Sequence, residues 1–149
     1  MRAREAITSR LFKWSATHAV YMPEIDAEHK DILRAAGEMH AAIGRGADPS
    51  ELQSMLTGLL THIHEHFGHE ERLMKETAYS SYAWHKRQHQ AALSKAAALE
   101  SQIHEGDTEA ALALLHFLSA WLKDHTSVAD RMMAAHVRNA QRLRTRLAS

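Results

Sequence analysis

The sequence predicts an all-α protein, an up-down-up-down antiparallel four-helix bundle (residues 25–130) with a preceding N-terminal loop segment (1–24) and a C-terminal basic helical tail (131–149). Three observations carry that expectation. The two prolines, Pro23 and Pro49, each head a long stretch of helical period, where a missing N–H does no harm. Apolar residues recur at spacings of three and four in four separate stretches. The connections "GRGADP", "ETAYSS" and "EGD" are short and built from turn formers, so consecutive helices should be antiparallel neighbours.

The first helix follows Pro23 with a stripe at Ile25, Ile32, Leu33, Ala36, Met39 and Ile43, and His29 sits on that stripe. The second starts near Ser50 and carries Leu52, Leu56, Leu59, Ile63, Leu73 and Met74, with His66 and Glu70 interrupting its apolar side. Tyr82, His85, His89, Ala92, Ala96, Leu99 and Ile103 mark the third, over about Tyr82 to His104. The fourth runs from about Thr108 through Leu115, Leu118 and Leu122 to His125.

A chain of 149 residues fits one domain, and no linker-like stretch divides it. Lys+Arg and Asp+Glu balance at 18 each, which leaves no global field to recruit nucleic acid or an anionic membrane. Zero cysteines exclude disulfides, thiolate metal sites and cysteine nucleophiles, so any metal must be held by nitrogen and oxygen. The apolar run "AALALLHFLSAWL" is too short for a bilayer, and the N-terminus lacks a secretory h-region; cytoplasmic residence is the expectation. Against this plain background stand 13 histidines, spread from His18 to His136 and so unlike a tag.

The topology converts sequence position into depth, because each residue rises ~1.5 Å along its helix. His29 lies about one turn into the first helix. His66 and Glu70 lie near the end of the second, His85 and His89 near the start of the third, and His125 near the end of the fourth. In an antiparallel bundle all of these fall at the same end of the core. Residues four apart project side by side, so His66 with Glu70, and His85 with His89, can each grip metal. His62 shares the inner face with His66, and angle alone does not choose between them; depth favours His66. His64 and Glu71 point away.

Glu70, on a core-facing stripe, is costly to bury as an unpaired ion, and no Lys or Arg on the inner faces offers to pair with it. A metal is the economical partner. Asp130 lies five residues past His125, about 140° around an ideal helix, so bringing both inward requires a π-bulge or a break between Thr126 and Ala129. Five imidazoles and two carboxylates exceed one tetrahedral zinc and suit two octahedral ions sharing carboxylates. "HEHFG" is not the zinc-protease pattern, because position 68 is Gly.

With "IDAEHKDIL", "HEHFGHEERLM", "WHKRQHQ" and "WLKDHTSVAD", the chain resembles a hemerythrin of the single-domain bacterial kind over about Trp14 to Asp130. The resemblance implies that His85, His89 and His125 hold one iron and His29 and His66 the other. Glu70, Asp130 and an oxo or hydroxo group would bridge the two ions, which cycle between Fe2+ and Fe3+. It further implies that O2 binds reversibly at the open position of the two-histidine iron, with Phe67, Trp121 and Leu122 walling the pocket. Three positions depart from the family pattern: Thr126 stands where a large aliphatic residue is usual, His62 where tyrosine is common, and Tyr21 where glycine is common.

His18, His40, His64, His69, His104, His116 and His136 read as solvated or packing residues, and Met132 and Met133 as packing residues. His62 is a candidate partner of a ligand or a proton relay. The tail, with five arginines and no acid, reads as a solvated helical end, the alternative being a docking surface for an acidic protein partner. Oligomeric state is open. The expected function is reversible O2 binding for carriage, storage or delivery, without enzymatic turnover. The alternatives are an O2 or redox sensor, disfavoured because no output domain accompanies the bundle, and a di-iron peroxidase or nitric oxide-handling enzyme. A purely structural bundle predicts no stoichiometric iron. A hydroxyl at Thr126 beside the bound ligand predicts faster oxidation to the diferric form than in a dedicated carrier. Thr126→Ile should then autoxidise more slowly than wild type, and equal rates in a spectroscopic time course would refute the idea.

Overall fold

The computed structural model describes residues 11–104 and 106–148. The first ten residues of the N-terminal segment, Glu105 of the "EGD" connection and Ser149 at the end of the tail lie outside the described residues. A 3-10 turn at Ala16–His18 precedes α1 (Pro23–Gly44), α2 (Pro49–Glu76), α3 (Tyr82–His104) and α4 (Thr108–His125). α4 continues through a π-helical turn, Thr126–Asp130, into α5 (Arg131–Ala148). α1 packs on α2 and α4, and α3 packs on the same two helices, which closes the four-helix bundle.

The helix starts follow from local chemistry. Pro23 and Pro49 occupy first-turn positions. Asp48 and Asp107 cap α2 and α4 by accepting from the backbone N–H of Glu51 (2.9 Å) and Ala110 (3.1 Å). At the helix ends, Gly46 and Gly106 take left-handed φ values of 77° and 87° that reverse the chain. Tyr21 takes φ 62° without being glycine. Glycine is the residue that such a conformation favours, since a Cβ in the left-handed region is strained.

The interior is two apolar clusters with a polar layer between them. The larger joins Ile32, Leu33, Leu59, Ile63, Phe67, Leu118 and Leu122, among others. The smaller joins Val20, Met22, Ile25, Leu73, Met74, Tyr79, Met133, Ala134 and Val137. Along α1 the change of cluster falls between Ile25 and Ile32, along α2 between Phe67 and Leu73, and along the last rod between Leu122 and Met133. His29, Glu70, His125 and Asp130 fall in those gaps.

The tail differs from the solvated end expected of it. Its first half is structural: Met133, Ala134 and Val137 are buried in the smaller cluster, while Met132 is exposed instead of packed. Arg131 donates to the carbonyls of Ala19 (2.9 Å) and Ala16 (2.8 Å), Arg138 to that of Val20, and Arg144 to that of Glu76 (2.8 Å). Three of the arginines thus tie the tail to backbone oxygens of the 3-10 turn, its C-terminal flank and the end of α2. Leu143 and Leu147, further along, are exposed. No helix among the described residues is long and apolar enough to cross a membrane.

Replacing Tyr21 by glycine should relieve the left-handed strain at some cost in chain entropy. A net gain of about 0.5–1 kcal/mol is expected, read as a higher urea midpoint, and a loss of stability would show that Tyr21 is held by contacts.

Candidate metal centre

Four helices and the π turn each deliver side chains to one buried point. α1 contributes His29, α2 His66 and Glu70, α3 His85 and His89, and α4 with its π turn His125 and Asp130. All seven are buried, and Glu70 and Asp130 have no exposed surface. Periodicity explains the first five residues. The π turn explains the last two, because widening one turn by a residue brings positions five apart to one side. His125 Nε2 consequently lies 2.9 Å from Asp130 Oδ1.

The donors form two overlapping groups. Glu70, His85, His89, His125 and Asp130 make one; His29, His66, Glu70 and Asp130 make the other, and within each the ligand atoms lie within 4.8 Å of one another. Asp130 straddles them: Oδ1 faces His85 (3.1 Å) and His125, and Oδ2 faces His29 (3.2 Å). Glu70 Oε1 faces His89 at 3.1 Å, with His66 at 3.5 Å and His85 at 3.7 Å. Every one of the five rings presents Nε2 to these carboxylates.

Nitrogen pairs also meet directly, His29 Nε2 to His66 Nε2 at 2.9 Å and His85 Nε2 to His125 Nε2 at 3.1 Å. Two imidazoles bound at right angles to one ion, with metal–nitrogen bonds of about 2.1 Å, place their nitrogens about 3.0 Å apart. Both carboxylates and His89 Nε2 lack conventional hydrogen-bond partners despite full burial. Such orphaned, convergent donors fit a bound cation and little else.

Electrostatics agree. Burial and Asp130 push the Glu70 carboxyl upward, yet His66, His85 and His89 outweigh them and hold it at about 2. Burial also raises Asp130, which His125, His29 and His85 nevertheless carry well below its ordinary value. Burial lowers the His85 ring, but Asp130 and Glu70 raise it to about 9; His66 is likewise lowered by burial and raised on balance by Glu70 and Glu28. For His125 burial prevails and the pKa falls. Two carboxylates therefore stay ionised in an apolar interior, where they require positive charge.

Comparison with known proteins settles the family. Residues 22–137, well over half of the chain, match the hemerythrin HHE cation binding domain. The chain belongs to the hemerythrin family. Similar proteins include a bacteriohemerythrin of Methylococcus capsulatus, 28% identical over 107 residues that cover 72% of this chain and 81% of that one. A bacteriohemerythrin of Stenotrophomonas maltophilia is 25% identical over 128 residues, 86% of this chain and 82% of that one. A myohemerythrin of Sipunculus nudus is 28% identical over 119 residues, 80% and 88% of the two chains. Bacteriohemerythrins and a myohemerythrin are thus similar to this chain to about the same degree, and membership of the family implies a di-iron centre in the His/Glu/Asp cluster.

In this hemerythrin a ring of outer partners orients the histidines, and the sequence pattern did not reveal it. His66 Nδ1 donates to Glu28 Oε1 (2.8 Å), His125 Nδ1 to Gln88 Oε1 (2.9 Å) and His89 Nδ1 to Glu71 Oε2 (3.3 Å). A carboxylate or amide oxygen only accepts, so in each ring Nδ1 carries the hydrogen and Nε2, when neutral, turns its lone pair inward. Glu71, expected to point away, instead reaches across to α3. Glu28 also accepts from His69 Nδ1 (2.7 Å), so one carboxylate links a buried ring to a half-buried one.

His62 is exposed, not on the inner face with His66; four residues earlier, on a helix whose inner face is set by Ile63, His66 and Glu70, it falls outside the contact. It lines an open polar cavity of about 560 Å3 with Glu28, Asp31, Glu65, His66, His69 and Arg72. Phe67 stacks on His89 (3.9 Å between ring centres, planes 3° apart) and also touches His66 (6.0 Å). Trp121 stacks on His125 (4.3 Å) and so covers the three-histidine half, while Leu122 packs in the larger apolar cluster and Thr126 is fully buried. Of the histidines expected to solvate or pack, His18 is buried against Trp14 and His136 donates to the Thr77 carbonyl (2.7 Å).

If Glu28 sets the orientation of His66, Glu28→Ala should lower metal affinity about 10–100-fold in a competition with a chelator. Metal retention equal to wild type would show that the contact is incidental.

Proposed function

We propose that this hemerythrin binds O2 reversibly at a di-iron centre held by His29, His66, Glu70, His85, His89, His125 and Asp130. The observation that carries the reading is the unequal sharing of donors between the two groups, with Glu70 and Asp130 common to both. His85, His89 and His125 with the two carboxylates would hold one ion, and His29 and His66 with the same carboxylates the other. The ion on the side of His29 and His66 would thus have one protein donor fewer and the room for an exogenous ligand. When bound, the iron pair supplies the two electrons that reversible O2 binding takes.

The chain's own residues supply containment. Phe67 and Trp121 lie flat on His89 and His125, which keeps solvent from the three-histidine half. Leu118, Leu122 and Ile63 close the layer from one side and Ile25, Met74 and Met133 from the other. An enclosure of this kind favours release of the ligand over its replacement by water. Glu28, Glu71 and Gln88 hold three of the rings by Nδ1, so that a change in charge at the centre is met by fixed dipoles. The donor set also supports binding over oxygenation: five neutral imidazoles and only two carboxylates give the ions less anionic charge than the four carboxylates and two histidines of ferritin-like oxygenating centres.

The test is iron content with an optical spectrum of the purified protein, reduced under anaerobic conditions, exposed to O2 and flushed with inert gas. Two irons per chain and a visible charge-transfer band that appears with O2 and vanishes on flushing are expected. Irreversible oxidation without that band, or steady turnover of hydrogen peroxide, would replace this reading with a redox sensor or a di-iron enzyme.

A further inference from the structure

Thr126 carries a buried hydroxyl that nothing in the protein satisfies. The residue has no exposed surface, and its Oγ1 lacks any hydrogen-bond partner. This is unusual within the chain itself: Thr57, Thr61, Thr77 and Thr145 each donate the hydroxyl to the carbonyl four residues back, at 2.7–3.0 Å. That is the ordinary refuge of a helical threonine. At Thr126 the corresponding carbonyl, of Leu122, accepts the backbone N–H of Thr126 but not its hydroxyl, whereas the Leu73 carbonyl accepts both from Thr77.

Position places the residue beside the centre. Thr126 opens the π turn that ends at Asp130 and is itself fully buried, so its side chain lies inside the bundle. Leu122 belongs to the core cluster above the polar layer and Asp130 to both donor groups. Thr126 is also adjacent in sequence to His125. An unpartnered donor on the inward face, one turn from a shared carboxylate, is a site prepared for something the protein alone does not provide.

We infer that the Thr126 hydroxyl donates a hydrogen bond to the small exogenous ligand of the metal centre, a diatomic or small linear anion with a lone pair on its outer atom. The inference rests on the di-iron reading above but not on reversibility of O2 binding. Azide is the probe, because it binds ferric iron at one end and offers a lone pair at the other without requiring electron transfer. Thr126→Val removes the hydroxyl at nearly constant shape, and Thr126→Ser restores it.

In the iron-loaded, oxidised protein, Thr126→Val should weaken azide binding about 10–100-fold while Thr126→Ser stays near wild type. The metal-free Thr126→Val protein should melt a few degrees above wild type, since it no longer buries an unpaired hydroxyl. Azide affinity equal to wild type in fully iron-loaded Thr126→Val overturns the inference. So does a metal-free valine variant that melts no higher, because the hydroxyl then has a partner of its own. A wild-type protein that fails to release O2 but shows the azide dependence refutes the carrier reading and leaves this assignment standing.

Discussion

Everything else in the structure is arranged around the burial of two carboxylates. Glu70 and Asp130 sit without solvent exposure between two apolar clusters, where an unpaired ion is strongly unfavourable. Five imidazoles face them, and these rings play different parts according to what else is present. With cations bound they are neutral donors. Without cations, Glu70 and Asp130 outweigh burial to raise His85 to about 9, and Glu70 and Glu28 shift His66 upward, so the rings favour the charge that opposes the carboxylates.

Much of this was legible in the sequence, for reasons specific to each residue. Spacings of four on α2 and α3 placed His66 with Glu70 and His85 with His89, and the antiparallel topology placed them at one depth with His29 and His125. The H-x-x-x-x-D spacing required a local departure from the α-helix, and the π turn at Thr126–Asp130 is that departure. What periodicity does not encode is the reach of side chains between helices. Glu28 lies next to His29 in sequence but serves His66 on α2, and Gln88 on α3 serves His125 on α4. Such pairs depend on helix crossing and rotamer, which no one-dimensional pattern carries. His62 illustrates the converse, since its helical angle suggested the interior and the lateral edge of the α1–α2 contact left it outside.

The two halves of the centre differ in their surroundings as well as in donor count. The three-histidine half is covered by stacked aromatic rings. The two-histidine half borders the polar cavity between α1 and α2 through His66, Glu28 and His69. The half assigned the room for an exogenous ligand is therefore also the half nearer to ionisable groups and solvent. The tail completes the other boundary: Met133 and Val137 close the apolar floor, and Arg131 and Arg138 tie that floor to the segment ahead of α1.

The π turn also bears on how such a centre can be copied or altered. A rod that runs from Thr108 to Ala148 gains one residue in a single turn, so its two parts are out of phase by about 100° relative to an uninterrupted helix. The phase that turns Asp130 toward His125 is the same phase that turns Met133 and Val137 toward the core. Deleting any one residue from Thr126 to Ala129 would undo both together. Grafting these ligands onto a straight helical scaffold would accordingly fail unless the insertion travels with them, and the module to transplant is the stretch from His125 through Val137.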